Sequence, residues 1–212
     1  MGESSKVGIS ASKVVALIGT LILIRDSISY FYTTDVLAIL FGVVGLIIAF
    51  VIFDSLEIID LKKLKIPYIW WVLLIIGLLL ILIDYLVGMQ PGAGWIASYL
   101  AGILIIIAAI IEILSQKKEY AASKIVTLIG ACYAIYESIM FILGGSIASI
   151  ALAIVGIIFG IILLLTLFDK VDIKVPYTWW VVLIIGFVIF TWVSTISGTI
   201  IMVGFILILM AF

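Results

Sequence analysis

Apolar residues run along this chain in blocks too long and too uniform to be one face of a soluble helix. The stretch VVALIGTLILI, Val14 to Ile24, holds no charge, and blocks like it recur as far as Phe212. Crossing a hydrocarbon core of ~30 Å takes about 20 such residues in a helix. On that measure the pattern predicts helices at 13–32, 36–53, 67–88, 95–115, 124–143, 147–168, 176–195 and 199–212, joined by short polar links. The first block is read as a span and not as a removable signal. No small-residue cleavage pattern follows it, and the succession of spans continues.

The blocks also repeat. ASKVVALIG at 11–19 returns as ASKIVTLIG at 122–130, IRDSI at 24–28 as IYESI at 135–139, and VVGLIIA at 43–49 as IVGIIFG at 154–160, each displaced by 111 residues. KIPYIWWVLLIIG at 65–77 returns as KVPYTWWVVLIIG at 174–186, displaced by 109. Four matches in one order predict a tandem duplication of a four-helix unit, residues 1–115 and 116–212. An even number of spans gives both copies one orientation. The expected fold is therefore an all-α integral membrane protein of eight transmembrane helices. They form two parallel four-helix repeats related by a pseudo-two-fold axis along the membrane normal.

The links differ in charge. Lys6, Lys13, Lys62, Lys63, Lys65, Lys117, Lys118, Lys124, Lys170 and Lys174 fall on one side, while YTT, GMQPGAG, GGS and STISG carry no Lys or Arg. The excess of positive charge on cytoplasmic loops puts both termini in the cytoplasm of a cell-membrane protein. Pro67 and Pro176 are expected at the first helical position, where a missing N–H costs nothing. Trp70, Trp71, Trp179 and Trp180 follow as an interfacial aromatic belt. DSLEIIDLKKLKIP and DKVDIKVP mix charged and apolar residues and are expected to lie along the interface. Gly45 with Ala49, and Gly156 with Gly160, are small-xxx-small pairs that allow close helix packing.

Composition agrees with the pattern and closes several functions. Hydrophobic residues make up 67% and charged residues 11%; a soluble domain is roughly half apolar and a quarter charged. A net charge of −1 gives no reason to expect nucleic acid as a partner. There is no His, and Cys132 is the single Cys. Metal and haem sites built on His or several Cys, and nucleophiles activated by His, have no residues to use. No enzymatic activity, metal or cofactor is expected. The expected partners are the lipid bilayer and a membrane-protein partner or second copy.

What remains is the charge inside the apolar blocks. Asp26 lies about 13 residues into the first span, or ~20 Å from the cytoplasmic face. Glu137 has the matching place in the fifth, and each acid is followed by Ser (Ser27, Ser138). Arg25 has Tyr136 as its counterpart, Tyr133 adds a hydroxyl nearby, and Asp84 lies near the outer end of the third span. A charge at mid-bilayer costs ~2.5–3.5 kcal/mol on insertion scales, so it must face the bundle interior, pair, or take up a proton. Neighbours in sequence point apart on a helix. Arg25 is thus expected to pair with Glu137 or Asp84 rather than with Asp26. Glu112, a turn from the end of its span, is expected to reach towards water. The hydroxyls on spans one and five make those the expected inner helices, leaving two and six towards lipid or a partner.

Two functions fit this reading. In the first, the acids on helices one and five serve a small cation- or proton-coupled transporter or channel-like protein. In the second, the charges fix helix register in a non-catalytic structural or accessory subunit of a larger membrane assembly. An acid pair could also cleave peptides inside the membrane, but neither acid sits in the GxGD-like context that such chemistry uses.

Overall fold

The computed structural model describes residues 10–58, 67–88, 99–115, 121–143, 147–167 and 177–210. These residues form eight helices: α1 (Ala11–Tyr30), α2 (Val36–Ser55), α3 (Trp70–Gly88), α4 (Leu100–Ser115), α5 (Ala122–Leu143), α6 (Ile147–Leu167), α7 (Trp179–Trp192) and α8 (Thr195–Leu209). Four stretches, Val36–Ser55, Trp70–Val87, Ala122–Leu143 and Ser149–Leu167, are long and apolar enough to cross a membrane. Three further helices, α4, α7 and α8, are apolar but have only 16, 14 and 15 residues. The chain is read on this basis as a helical, multi-pass membrane protein.

Local chemistry sets the ends. Ser10 caps α1 by accepting from the Lys13 N–H at 3.4 Å, and Asp35 caps α2 through the Leu37 N–H at 2.9 Å. Such caps satisfy N–H groups that have no partner within the helix. Two expected boundaries move. Pro67 does not open α3, because the first main-chain bonds of that helix run to the Ile69 carbonyl. Residues 67–69 instead hold Tyr68 so that its ring lies under Lys13 Nζ, 5.8 Å from the ring centroid. Pro176 lies outside the described residues, as do the Lys-bearing links other than Lys13 and Lys124. STISG is not a loop. Helix α7 stops at Trp192 and α8 begins at Thr195, so only Val193 and Ser194 join them. Ser194 makes so short a link possible by accepting from the Ile196 N–H at 3.1 Å.

The helices group into two compact units, Met1–Lys118 and Glu119–Phe212. In the first, α1 packs against α2 and α4, and α4 also packs against α3, while α2 meets α3 slightly. In the second, α5 packs against α6 and α8, α8 also packs against α7, and α6 meets α7 slightly. Helix α2 buries a single stripe, Ala38, Gly42, Gly45, Ala49 and Ile52, at the alternating four- and three-residue spacing of one helix face. Leu40, Val43, Ile47 and Phe50 stand exposed on its other side. Helices α4 and α8 are enclosed as thoroughly as α1 and α5. Small residues such as Ala101, Ala108, Gly198 and Gly204 let their neighbours close in. The core of the second unit is aliphatic, with Leu163, Val182, Ile189 and Ile201 almost fully buried.

Candidate functional site: buried acids at the helix ends

The last two turns of α1 sort its polar residues by face. Asp26 and Tyr30, four apart, point inward together and are 4% and 3% exposed. Tyr30 donates its hydroxyl hydrogen to Asp84 Oδ1 on α3. The backbone N–H of Tyr99 also bonds to Asp84. Tyr99 immediately precedes α4, holds a left-handed φ of 55°, and gives its carbonyl to the Ile103 N–H at 3.0 Å. Asp84 therefore meets the first turn of α4. Asp26 lies within electrostatic reach of both Tyr30 and Asp84.

Arg25 does not follow the expectation. Its guanidinium Nη1 is 3.8 Å from Asp26 Oδ1, and its side chain is 76% exposed. The two side chains leave the helix in different directions, but the Arg stem is long enough to fold back along α1. The result is a long contact between an exposed cation and a buried acid. Within the first unit, the described partners of Asp84 are the Tyr30 hydroxyl and the Tyr99 N–H rather than Arg25.

In the second unit the position matching Asp26 is Glu137 on α5. Glu137 Oε1 accepts from Ser194 Oγ at 2.7 Å. Ser194 is the N-cap of α8. The hydroxyl and backbone N–H of Ser197 face the same carboxylate. Ser197 Oγ and Glu137 Oε2 are buried yet close no hydrogen bond of ordinary geometry. Glu137 thus occupies the N-terminus of α8, where free N–H groups and the helix dipole favour negative charge.

Each unit accommodates its Ser against a glycine. Ser27 and Ser138 are fully buried. Ser138 Oγ donates to the Ala134 carbonyl at 2.7 Å. A Cβ at Gly156 on α6 would collide with Ser138 Oγ, and one at Gly45 on α2 would collide with Ser27 Oγ. Gly160 stands against Ile135, and Ala49 is 1% exposed. Tyr136 departs from its expected place in a charge network: it is 55% exposed, and its ring pairs with Tyr133 at 5.9 Å between centroids. Trp71, Trp179 and Trp180 are about half exposed, and Trp70 is intermediate.

The opposite ends of α1 and α5 carry their own polar contacts. Ser12 donates to Glu112, so this acid is held by α1 instead of reaching for water. Lys124 Nζ lies 6.0 Å from the Tyr177 ring centroid, and the Tyr177 hydroxyl is 3.0 Å from Thr127 Oγ1.

Sequence reasoning did not single out Tyr30, Tyr99, Ser194 or Ser197. The spacing of Asp26 and Tyr30, one helical turn apart, was the available signal for the first. Nothing local marks Tyr99, which contributes a backbone N–H. Among the described residues no three His, Cys, Asp or Glu lie together in a metal-holding group. Comparison with known proteins finds no matching family model, no similar curated protein and no similar solved structure.

Proposed function

We propose that this protein moves a small cation or a proton across a membrane, using buried acids near the outer ends of its helices. The observation that supports the reading is the first-unit cluster, in which Asp26 and Asp84 are buried together with Tyr30, at 4%, 6% and 3% exposure. Two carboxylates in an apolar setting repel each other strongly when both are charged. A proton or cation held between them removes that repulsion. An acid inside a membrane segment is by default a functional-site hypothesis. The reading takes both units as duplicates in the same orientation, with the Lys-bearing links cytoplasmic. Cysteines placed at Gly92 and Lys118 should then react with an impermeant thiol reagent from opposite sides. Transport is tested in proteoliposomes: pH-dependent ion flux should disappear in Asp26→Asn, and flux unchanged by that substitution removes the acids from the mechanism.

A second reading, an accessory subunit of a larger assembly, draws on a different observation. Leu40, Val43, Ile47 and Phe50 present an exposed aliphatic face on α2, and the second-unit core is filled. Co-purification of a stoichiometric membrane partner, together with flux-free proteoliposomes, would favour it.

A further inference from the structure

We propose that the first unit alone carries the ion or proton, and that Glu112 serves it as the acid at the end of α1 opposite Asp84. The placement deepens the transport reading above and rests on it.

Residues of the two units can be matched by their contacts. A Cβ on Gly19 would meet Leu104 and Ile105, and one on Gly130 would meet Ile200 and Ile201, 96 residues further on. Gly77 stands against Ile106 as Gly186 stands against Met202, again 96 residues further on. Matched in this way, Glu112 on α4 has Ile208 as its counterpart on α8. The displacements of 111 and 109 set Thr20 against Ala131, Tyr30 against Phe141 and Asp84 against Val193. Each of these polar groups of the first unit thus faces a hydrocarbon side chain at the matching place in the second. Helices α1–α4 hold four carboxylates, Asp26, Asp54, Asp84 and Glu112, whereas α5–α8 hold Glu137 alone.

A charge that crosses an apolar core needs polar groups to meet it at both ends, because hydrocarbon offers it nothing. Only the helices of the first unit place acids at both. Glu112 lies in the last turn of α4, near enough to the helix end to extend towards water. Instead it accepts from the Ser12 hydroxyl on α1, and it stays half-buried while Ser12 is 1% exposed. The acid therefore stands between the inward face of α1 and its surroundings. Helix α4 packs against α1 and α3. From those two sides the Glu112 charge is felt by Tyr68, ahead of α3, and Lys13 lies over the Tyr68 ring.

The inward face of α1 leads on from Ser12. Thr20 is fully buried on it and donates to the Ala16 carbonyl at 2.7 Å, which leaves its oxygen lone pairs to meet a cation or a water. Tyr30 closes the face where it bonds Asp84. The rise is ~12 Å from Ser12 to Thr20 and ~9 Å from Thr20 to Asp26. Side chains cannot hand a proton over such steps directly, so water or the hydrated ion enters between the helices at each crossing.

The test uses the full chain in liposomes. Flux should be lost in Glu112→Gln, which keeps an acceptor for Ser12, with thermal unfolding unmoved. Glu112→Asp, which keeps the charge, should retain part of the flux; a Glu112 that only packs would give the reverse order. Flux that survives Glu112→Gln, or is merely halved because the second unit carries the rest, overturns the proposal and leaves the transport reading standing. A wild type without flux removes that reading and the proposal with it. If Glu112→Gln does not fold, the wild type is treated with dicyclohexylcarbodiimide, an apolar reagent that modifies protonated carboxyls, and mapped by peptide mass spectrometry. Flux should then fall in step with the label on Glu112. Flux that persists with Glu112 labelled, or a Glu112 that never takes the label, overturns the proposal equally.

Discussion

Gly156→Ala is the substitution for which the structure gives the most definite cost. The new Cβ would overlap Ser138 Oγ and lie 2.9 and 3.2 Å from the two Val193 methyls. Neither neighbour yields freely. Ser138 is held by its bond to the Ala134 carbonyl at 2.7 Å, and Val193 is tied to Ile189 by its N–H at 3.0 Å. Giving up such a hydrogen bond costs about 0.5–1.5 kcal/mol net. Overpacking a filled contact costs about 1–3 kcal/mol. Against this, Ala is better than Gly in a helix by about 1 kcal/mol. The expected net loss is therefore about 1–3 kcal/mol from these three effects together.

Reversible unfolding in mixed micelles, followed by helical circular dichroism, reads that loss. Adding Ser138→Ala removes the collision, so the double variant should recover more than half of it, a coupling of at least ~0.5 kcal/mol. Gly45→Ala is the control. Its hard contact is Ser27 Oγ alone, with the next atoms at 3.4 and 3.5 Å, and that hydroxyl has no hydrogen-bond partner holding it. Ser27 can rotate aside, and the helix preference then makes the change close to neutral. If Gly45→Ala costs as much as Gly156→Ala, or Ser138→Ala gives no rescue, the reasoning from the held hydroxyl is wrong.

Other outcomes follow from the acids and caps. Ser194→Ala removes both the cap on the Ile196 N–H and the donor to Glu137, and should lower stability by about 1–3 kcal/mol in the same unfolding assay. Tyr30→Phe leaves Asp84 without its hydroxyl donor and should cost about 1–3 kcal/mol, whereas Tyr136→Phe, on a largely exposed side chain, should be silent. Arg25→Gln should change stability by less than ~1 kcal/mol, because the Arg side chain is largely exposed and its contact with Asp26 is long. A large loss there would indicate that Arg25 is enclosed by something beyond its own helix.

Hydrophobic block length placed six of the eight helices within three residues at both ends; α4 starts five residues later than expected and α8 four residues earlier. It misplaced the start of α8, and the reason is local. STISG reads as a loop by composition, yet a single Ser cap and a helix dipole are enough to start α8 at Thr195. Tyr68 moved the start of α3 for the opposite reason, a tertiary contact with Lys13 that no local preference encodes. The charged residues were legible as a puzzle and not as a solution. Their place within apolar blocks, and the matching stretches around Asp26 and Glu137, could be read from the chain, but their partners could not. Tyr99 contributes only a backbone N–H, and side-chain identity carries no trace of that. The inward turn of Tyr30 was readable in principle, one helical turn from Asp26, whereas the outward turn of Tyr136 depended on which face α5 gave to α6 and α8.

The α7–α8 hairpin has a consequence for the membrane itself. Helices of 14 and 15 residues span only ~21–23 Å, and a two-residue link adds almost nothing. Where both helices cross a bilayer with a core of ~30 Å, that bilayer must pinch inward around the hairpin, at a fraction of a kcal/mol for each ångström of mismatch. Such a pinch would bring headgroups closer to the Val193–Ser194 turn, where Ser194 holds Glu137. Lipid thickness becomes an external control on that acid's surroundings: short-chain lipids relieve the strain and long-chain lipids increase it. In a cell, the same mismatch would favour residence in thinner membranes.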